Sequence, residues 1–148
     1  MMKIFKLSTS QPRSPHLWQV AGLKHSTGMS LLGQIREGLD GRVAQLIIDW
    51  AKISQADLCK MSGIPPKAFS RSLRTRFSAT HSERLVRCIR IIDRAVELFE
   101  GDKEGACKWL KSPNMVLNWK EPSELMASET GAYEIIKLIT RLEHGVYY

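Results

Sequence analysis

From Leu39 onward, apolar side chains recur at three- and four-residue intervals, the period of helices that bury one face. Val43, Leu46, Ile47 and Trp50 stand at i, i+3, i+4 and i+7 and predict a first helix. A second begins in SQADLCKM, where Ser54 and Asp57 have the spacing of a capping box. SGIPP interrupts the period, and a third short helix, KAFSRSLR, follows with Pro66 in its first turn. The strongest stripe is Leu85, Ile89, Ile92, Val96 and Phe99, with Thr80 and Glu83 as expected cap and partner and Gly101 as the stop. DKEGACKWL reads as a further short helix, and Pro113 and Pro122 each look like the opening of a helical turn. The last helix buries Ile135, Leu138, Ile139 and Leu142, begins at a cap formed by Ser128, Glu129 and Thr130, and stops at Gly145. No stretch alternates in polarity, and there is neither a hairpin signal nor a repeat. The expected fold class is all-α.

Residues 1–28 contain Ser, Pro and Thr without a sustained period, so residues 1–38 are expected to form an arm or lead-in. Residues 39–94 then make one unit and 95–148 a second. Within the first, SQADLCKMSGIPPKAFSRSLR has the grammar of a helix-turn-helix. Leu58 and Met61 point inward, Cys59 is small enough for a close crossing, and Gly63 supplies the left-handed turn. Ile64 and Phe69 return to the core. The outer face of the third helix then offers Lys67, Ser70, Arg71 and Arg74, groups suited to phosphates and base edges in a major groove. Pro65 and Pro66 stand where a recognition helix usually carries a Ser or Thr cap. Arg84, Arg87, Arg90 and Arg94 are expected on a solvated face, paired with Glu83, Glu97 and Glu100, the first two adding phosphate contacts at most.

Charge sharpens this division. Residues 1–80 carry twelve Lys/Arg against four Asp/Glu, a balance of +8, whereas residues 81–148 carry ten against eleven, a balance of −1. A basic half facing nucleic acid and a neutral half facing another partner fit that asymmetry. The three cysteines form no C-x-x-C pair and the four histidines are scattered, so reduced thiols are expected and no metal site. No apolar run is long enough for a membrane span, and the N-terminus lacks the continuous apolar core of a signal peptide, so a cytoplasmic protein without membrane contact is expected. Catalysis needs convergent nucleophiles, bases, paired carboxylates or a phosphate-cradling glycine loop, and none stands at telling spacing. The expectation is therefore a non-enzyme with no cofactor.

The second half also carries a motif string: GACKWLKSPN, then EPSELMASETGAYEIIKLITRLEHGVYY. It resembles the toxin-binding domain of the Xre/MbcA/ParS antitoxin family through Ala106, Trp109, Leu110, Pro113 and Asn114, then Pro122, Leu125 and Met126. Thr130 and Gly131 follow, and the helix closes on Arg141, Leu142, Glu143, Gly145 and Val146. With the helix-turn-helix in front, the resemblance covers about residues 40–148. It implies the antitoxin of a type II toxin–antitoxin system whose partner is a RES-domain toxin that consumes NAD. It also implies autorepression of the promoter, and a homodimer or toxin-bridged pair on the operator. On this resemblance Arg141, Glu143, Val146, Tyr147 and Tyr148 are the candidate toxin contacts, the two tyrosines entering the toxin's substrate cleft. Arg141 and Glu143 equally suit pairing with Lys137 and its neighbours, and two further alternatives stay open. Tyr147 and Tyr148 pack back on their own last helix, or the chain is a free-standing helix-turn-helix regulator without a toxin. Trp109 and Trp119 sit in apolar contexts and are expected in the core.

Overall fold

The computed structural model describes residues 15–145, and every regular element among them is helical. In chain order these are α1 (Leu17–Val20), α2 (Met29–Glu37), α3 (Arg42–Ala51), α4 (Gln55–Ser62), α5 (Pro66–Ser72), α6 (Ala79–Leu98) and α7 (Lys103–Leu110). A 3-10 turn (Met115–Leu117), α8 (Pro122–Leu125) and α9 (Glu129–Glu143) complete the described chain.

α6 is the axis of the molecule. The stripe expected on it is buried at Leu85, Ile89, Ile92 and Val96, but so are Val86, Cys88, Ile91 and Ala95. A helix apolar on more than one face must be covered on more than one side. α1, α2, α3 and α4 pack on it from the N-terminal half, α7 and α9 from the C-terminal half. Its N-cap is Ser78, whose Oγ accepts the His81 N–H at 3.1 Å, so the helix begins two residues before the expected Thr80 cap. Its end is as expected: Gly101, with φ of +96°, turns the chain back so that its N–H reaches the Val96 carbonyl.

Residues 15–38 differ from the expected lead-in. Leu17, Ala21, Leu23, Leu31 and Ile35 are buried in the common core. The reason lies far along the chain. The buried Asp93 carboxylate on α6 accepts the backbone N–H groups of Leu17 (2.6 Å) and Trp18 (3.1 Å), satisfying the start of α1 from 75 residues away. A helix of four residues has no period to read, and beside the long-range bonds its start carries one local bond, Gln19 Oε1 accepting the His16 N–H at 2.9 Å.

Three smaller expectations also change. On α3 the buried set is Val43, Ala44, Ile47 and Ala51, while Leu46 is exposed and Trp50 half-buried. Pro113 does not open a helical turn; it precedes Asn114, whose side chain caps the 3-10 turn by accepting the Val116 N–H at 2.9 Å. Trp109 packs half-buried against Phe99, their rings 6.3 Å apart, but Trp119 is exposed.

Candidate DNA-binding face and partner-binding helix

The helix pair α4–α5 is assembled from local rules. Ser54 Oγ accepts the Asp57 N–H at 2.9 Å and the Asp57 carboxylate accepts the Ser54 N–H at 3.1 Å, a complete capping box. Gly63, with φ of +72°, ends α4 and donates its N–H to the Cys59 and Lys60 carbonyls. The Cys59 thiol spans the turn to the Ile64 carbonyl at 3.2 Å. Leu58, Met61, Ile64 and Phe69 are buried as expected, and Phe69 meets Phe77 edge-on at 5.7 Å. Pro65 occupies the N-cap position of α5 without a side-chain hydrogen bond and Pro66 its first turn, so fixed proline φ angles set the entry of this helix.

Lys67, Ser70 and Arg71 are exposed on one face of α5, at i, i+3 and i+4. α5 ends at Ser72, so the exposed Arg74 lies in the turn just beyond that face. The exit from α5 is clamped. Gly41, at the start of α3, lies so close that a Cβ there would stand 2.4 Å from the Ser72 and Leu73 carbonyl oxygens. Its N–H donates to the Thr75 carbonyl at 3.0 Å, the Phe77 N–H to the Leu39 carbonyl at 2.8 Å, and the Arg76 guanidinium to the Gly38 carbonyl.

The four arginines of α6 do not form the expected solvated face. Arg84 donates to the Gly63 carbonyl at 3.0 Å, and Arg87 to the Met126 (3.1 Å) and Ala127 (2.7 Å) carbonyls. Arg90 reaches the Ser26 carbonyl at 3.3 Å, and Arg94 both Thr140 Oγ1 and Glu143, each at 2.9 Å. These guanidinia tie α6 to the segments around it. The side chains of Lys67, Ser70, Arg71 and Arg74, by contrast, make no hydrogen bond or ion pair among the described residues. Cations held by backbone carbonyls are spent on the fold; cations left facing water remain for an anionic partner.

α9 is seated on α6 through Ile135, Leu138 and Ile139, with Ser128 Oγ capping it through the Gly131 N–H at 2.9 Å. Of the candidate toxin contacts, Glu143 is paired with Arg94 and Arg141 is half-buried on the last turn. Gly145 has φ of +73°, the backbone of a helix stop. Val146, Tyr147 and Tyr148 lie outside the described residues. Burial pushes the Cys88 thiol up to about 12 and raises those of Cys59 and Cys107. No group of three or more His, Cys, Asp or Glu is gathered as metal ligands among the described residues. No helix among them is long and apolar enough to cross a membrane.

An exposed cationic face on the second helix of a helix-turn-helix, with no partner among the described residues, is the layout of a DNA-binding module, and one long helix joins it to a second helical unit. Comparison with known families agrees at both ends. Residues 30–90 match the antitoxin Xre-like helix-turn-helix domain, and residues 94–145 the antitoxin Xre/MbcA/ParS C-terminal toxin-binding domain. A protein of Photorhabdus laumondii subsp. laumondii named Antitoxin Xre is 34% identical over 147 residues, 98% of this chain and 99% of that one. One of Yersinia enterocolitica with the same name is 39% identical over 142 residues, 94% of this chain and 95% of that one. The chain belongs to the Xre antitoxin family.

Proposed function

We propose that this antitoxin neutralises a RES-type, NAD-consuming toxin by inserting its C-terminal end into the toxin's active site, and that it represses its own promoter through α5. The observation that carries the first half is the seating of α9. Its buried apolar face and the Arg94 bonds to Thr140 and Glu143 fix the helix on α6, and Gly145 ends it. Whatever follows is therefore delivered from a rigid base. Ordering three residues costs about 1–2 kcal/mol of backbone entropy each, which two buried tyrosines offset. Burying one tyrosine removes roughly 150–250 Å² from water, several kcal/mol at about 25 cal/mol/Å². Arg141 and Glu143 flank this entry, with Glu143 held by Arg94.

On DNA, the uncommitted face of Lys67, Ser70, Arg71 and Arg74 supplies the phosphate and base contacts. One helix-turn-helix makes few such contacts, so a homodimer or toxin-bridged pair sits on half-sites about one helical turn apart. Light scattering showing one monomer per operator, even with toxin present, removes that assembly from the proposal. The toxin step is tested by deleting residues 146–148. NAD depletion by co-expressed toxin should return, while operator gel shifts and the melting temperature stay at parental values. A truncated antitoxin that still protects cells fully sinks the proposed insertion. A fall in melting temperature with every function weakened together means that the tyrosines pack on their own helix.

A further inference from the structure

The segment between α7 and α8 folds into a closed tip. The Asn114 N–H donates to the Lys120 carbonyl at 3.0 Å and the Trp119 N–H to the Asn114 carbonyl at 2.8 Å. Inside that ring the Asn118 N–H reaches the Met115 carbonyl at 3.2 Å, and the Lys120 N–H the Leu117 carbonyl at 3.1 Å. Leu117 is buried and anchors the tip to the core. The other apolar residues point away from it: Met115 is 59% exposed, Val116 39% and Trp119 66%.

Two features separate this tip from an ordinary surface loop. First, Asn118 and Trp119 are consecutive non-glycine residues with positive φ, +58° and +64°. A bulky aromatic in that region is a backbone outlier, maintained only where the surrounding bonds over-determine it, and such outliers cluster at binding sites. Second, the strain holds an indole that is two-thirds exposed, with 66% of Trp119 facing water. Trp and Met are enriched at protein interfaces, and Trp at the few positions that dominate binding energy. A tip already closed by its own hydrogen bonds loses little freedom on docking.

We infer that the tip formed by Met115, Val116 and Trp119 is a second docking point for the toxin, separate from the chain's C-terminal end. This inference rests on the proposed toxin partnership. The tip lies inside residues 94–145, the part that matches a toxin-binding domain. Three side chains supply a few hundred Å² at most, below the roughly 800 Å² per partner of a standard stable interface, so two copies meeting here alone make no lasting dimer. A twofold contact through Trp119 would also bring the exposed Lys120 of each copy near its equivalent, like charge against like. A small, rigid, apolar knob instead fits a concave apolar pocket on a larger partner, with carboxylates at the rim to meet Lys120.

The test titrates the cognate RES-type toxin of the proposed function, in a catalytically silent form, into four proteins: the parent, Met115→Ser/Trp119→Ala, Trp119→Gly, and the 146–148 deletion. The double variant should bind at least tenfold more weakly, with unchanged operator gel shift. Trp119→Gly should also bind more weakly yet melt no lower than the parent, because glycine relieves the positive φ; a purely structural tryptophan would lower the melt. Toxin affinity within twofold of the parent for both tip variants overturns the inference. So does a change in self-association at unchanged toxin affinity, which would make the tip a contact between copies. If the deletion abolishes binding while the tip variants do not, only the second docking point fails. If the parent itself does not bind, the toxin partnership fails and the tip with it.

Discussion

Asp57 closes the capping box of α4 while its carboxylate also receives the Lys111 ammonium at 3.2 Å. Burial alone would raise it, but the Ser54 N–H bond and Lys111 outweigh that and hold it below the ordinary aspartate range. A folded-state value below the unfolded one means stability present above the unfolded value and lost as pH falls through the folded one. Asp57→Asn should therefore cost about 1 kcal/mol near pH 7, from lost charge at a helix N-terminus and a partly exposed ion pair. The deficit should shrink as the pH drops below about 4, as read from urea melts at neutral and acid pH. A deficit that stays constant into acid would refute the charge-based account. Asp93 runs the opposite way. Burial raises it against the N–H bonds of Leu17 and Trp18, so its contribution is greatest in acid and is lost as pH rises through its folded-state value.

Among the elements, α5 is set apart by what it lacks: the exposed side chains on its outer face find no partner among the described residues. If Arg71 and Arg74 contact DNA, Arg71→Ala/Arg74→Ala should lose on the order of 1–3 kcal/mol for each base read, or flatten the salt dependence by about one counterion for each phosphate met. Gel-shift titrations over a salt series measure both. Parental affinity and slope with intact helicity would show that α5 is not the reading helix. What the sequence could reveal about these elements follows from the range of the interactions. The Ser54–Asp57 box, the Ser128 cap, and the stops at Gly63 and Gly145 are three- or four-residue grammar and were legible. The α6 arginines were not. Their spacing suggested local glutamate partners, but Arg84 and Arg90 find carbonyls 21 and 64 residues away. The apolar context of Trp119 predicts core, yet the residue is exposed, and a positive φ at a non-glycine residue has no signature in composition or period. The α6 cap slipped because Ser78 and Thr80 are both good capping residues and only geometry chooses between them.

At the scale of the molecule, Arg87 is one of the ties between the two matched segments, holding the Met126 and Ala127 carbonyls just before α9. A Cβ on Gly63 would stand 3.0 Å from that of Ala127, so the turn of the helix-turn-helix leans on the same place. Arg87→Ala strips two carbonyls of a charged donor and should lower stability by about 2 kcal/mol. Calorimetry of the parent should show one transition for the whole chain. Two resolved transitions would mean that the halves are independent after all. α6 has a further consequence, for descent rather than for folding. The two matched segments end and begin at residues 90 and 94, and both limits fall inside this one unbroken helix. A recombination that exchanged halves between relatives at that seam would splice two half-helices. It would join the buried Leu85 and Ile89 of one parent to the buried Ala95 and Val96 of another within a single helix. New toxin and operator specificities are therefore easier to reach by substitution at the surface than by shuffling the halves, and the two activities descend as a linked pair.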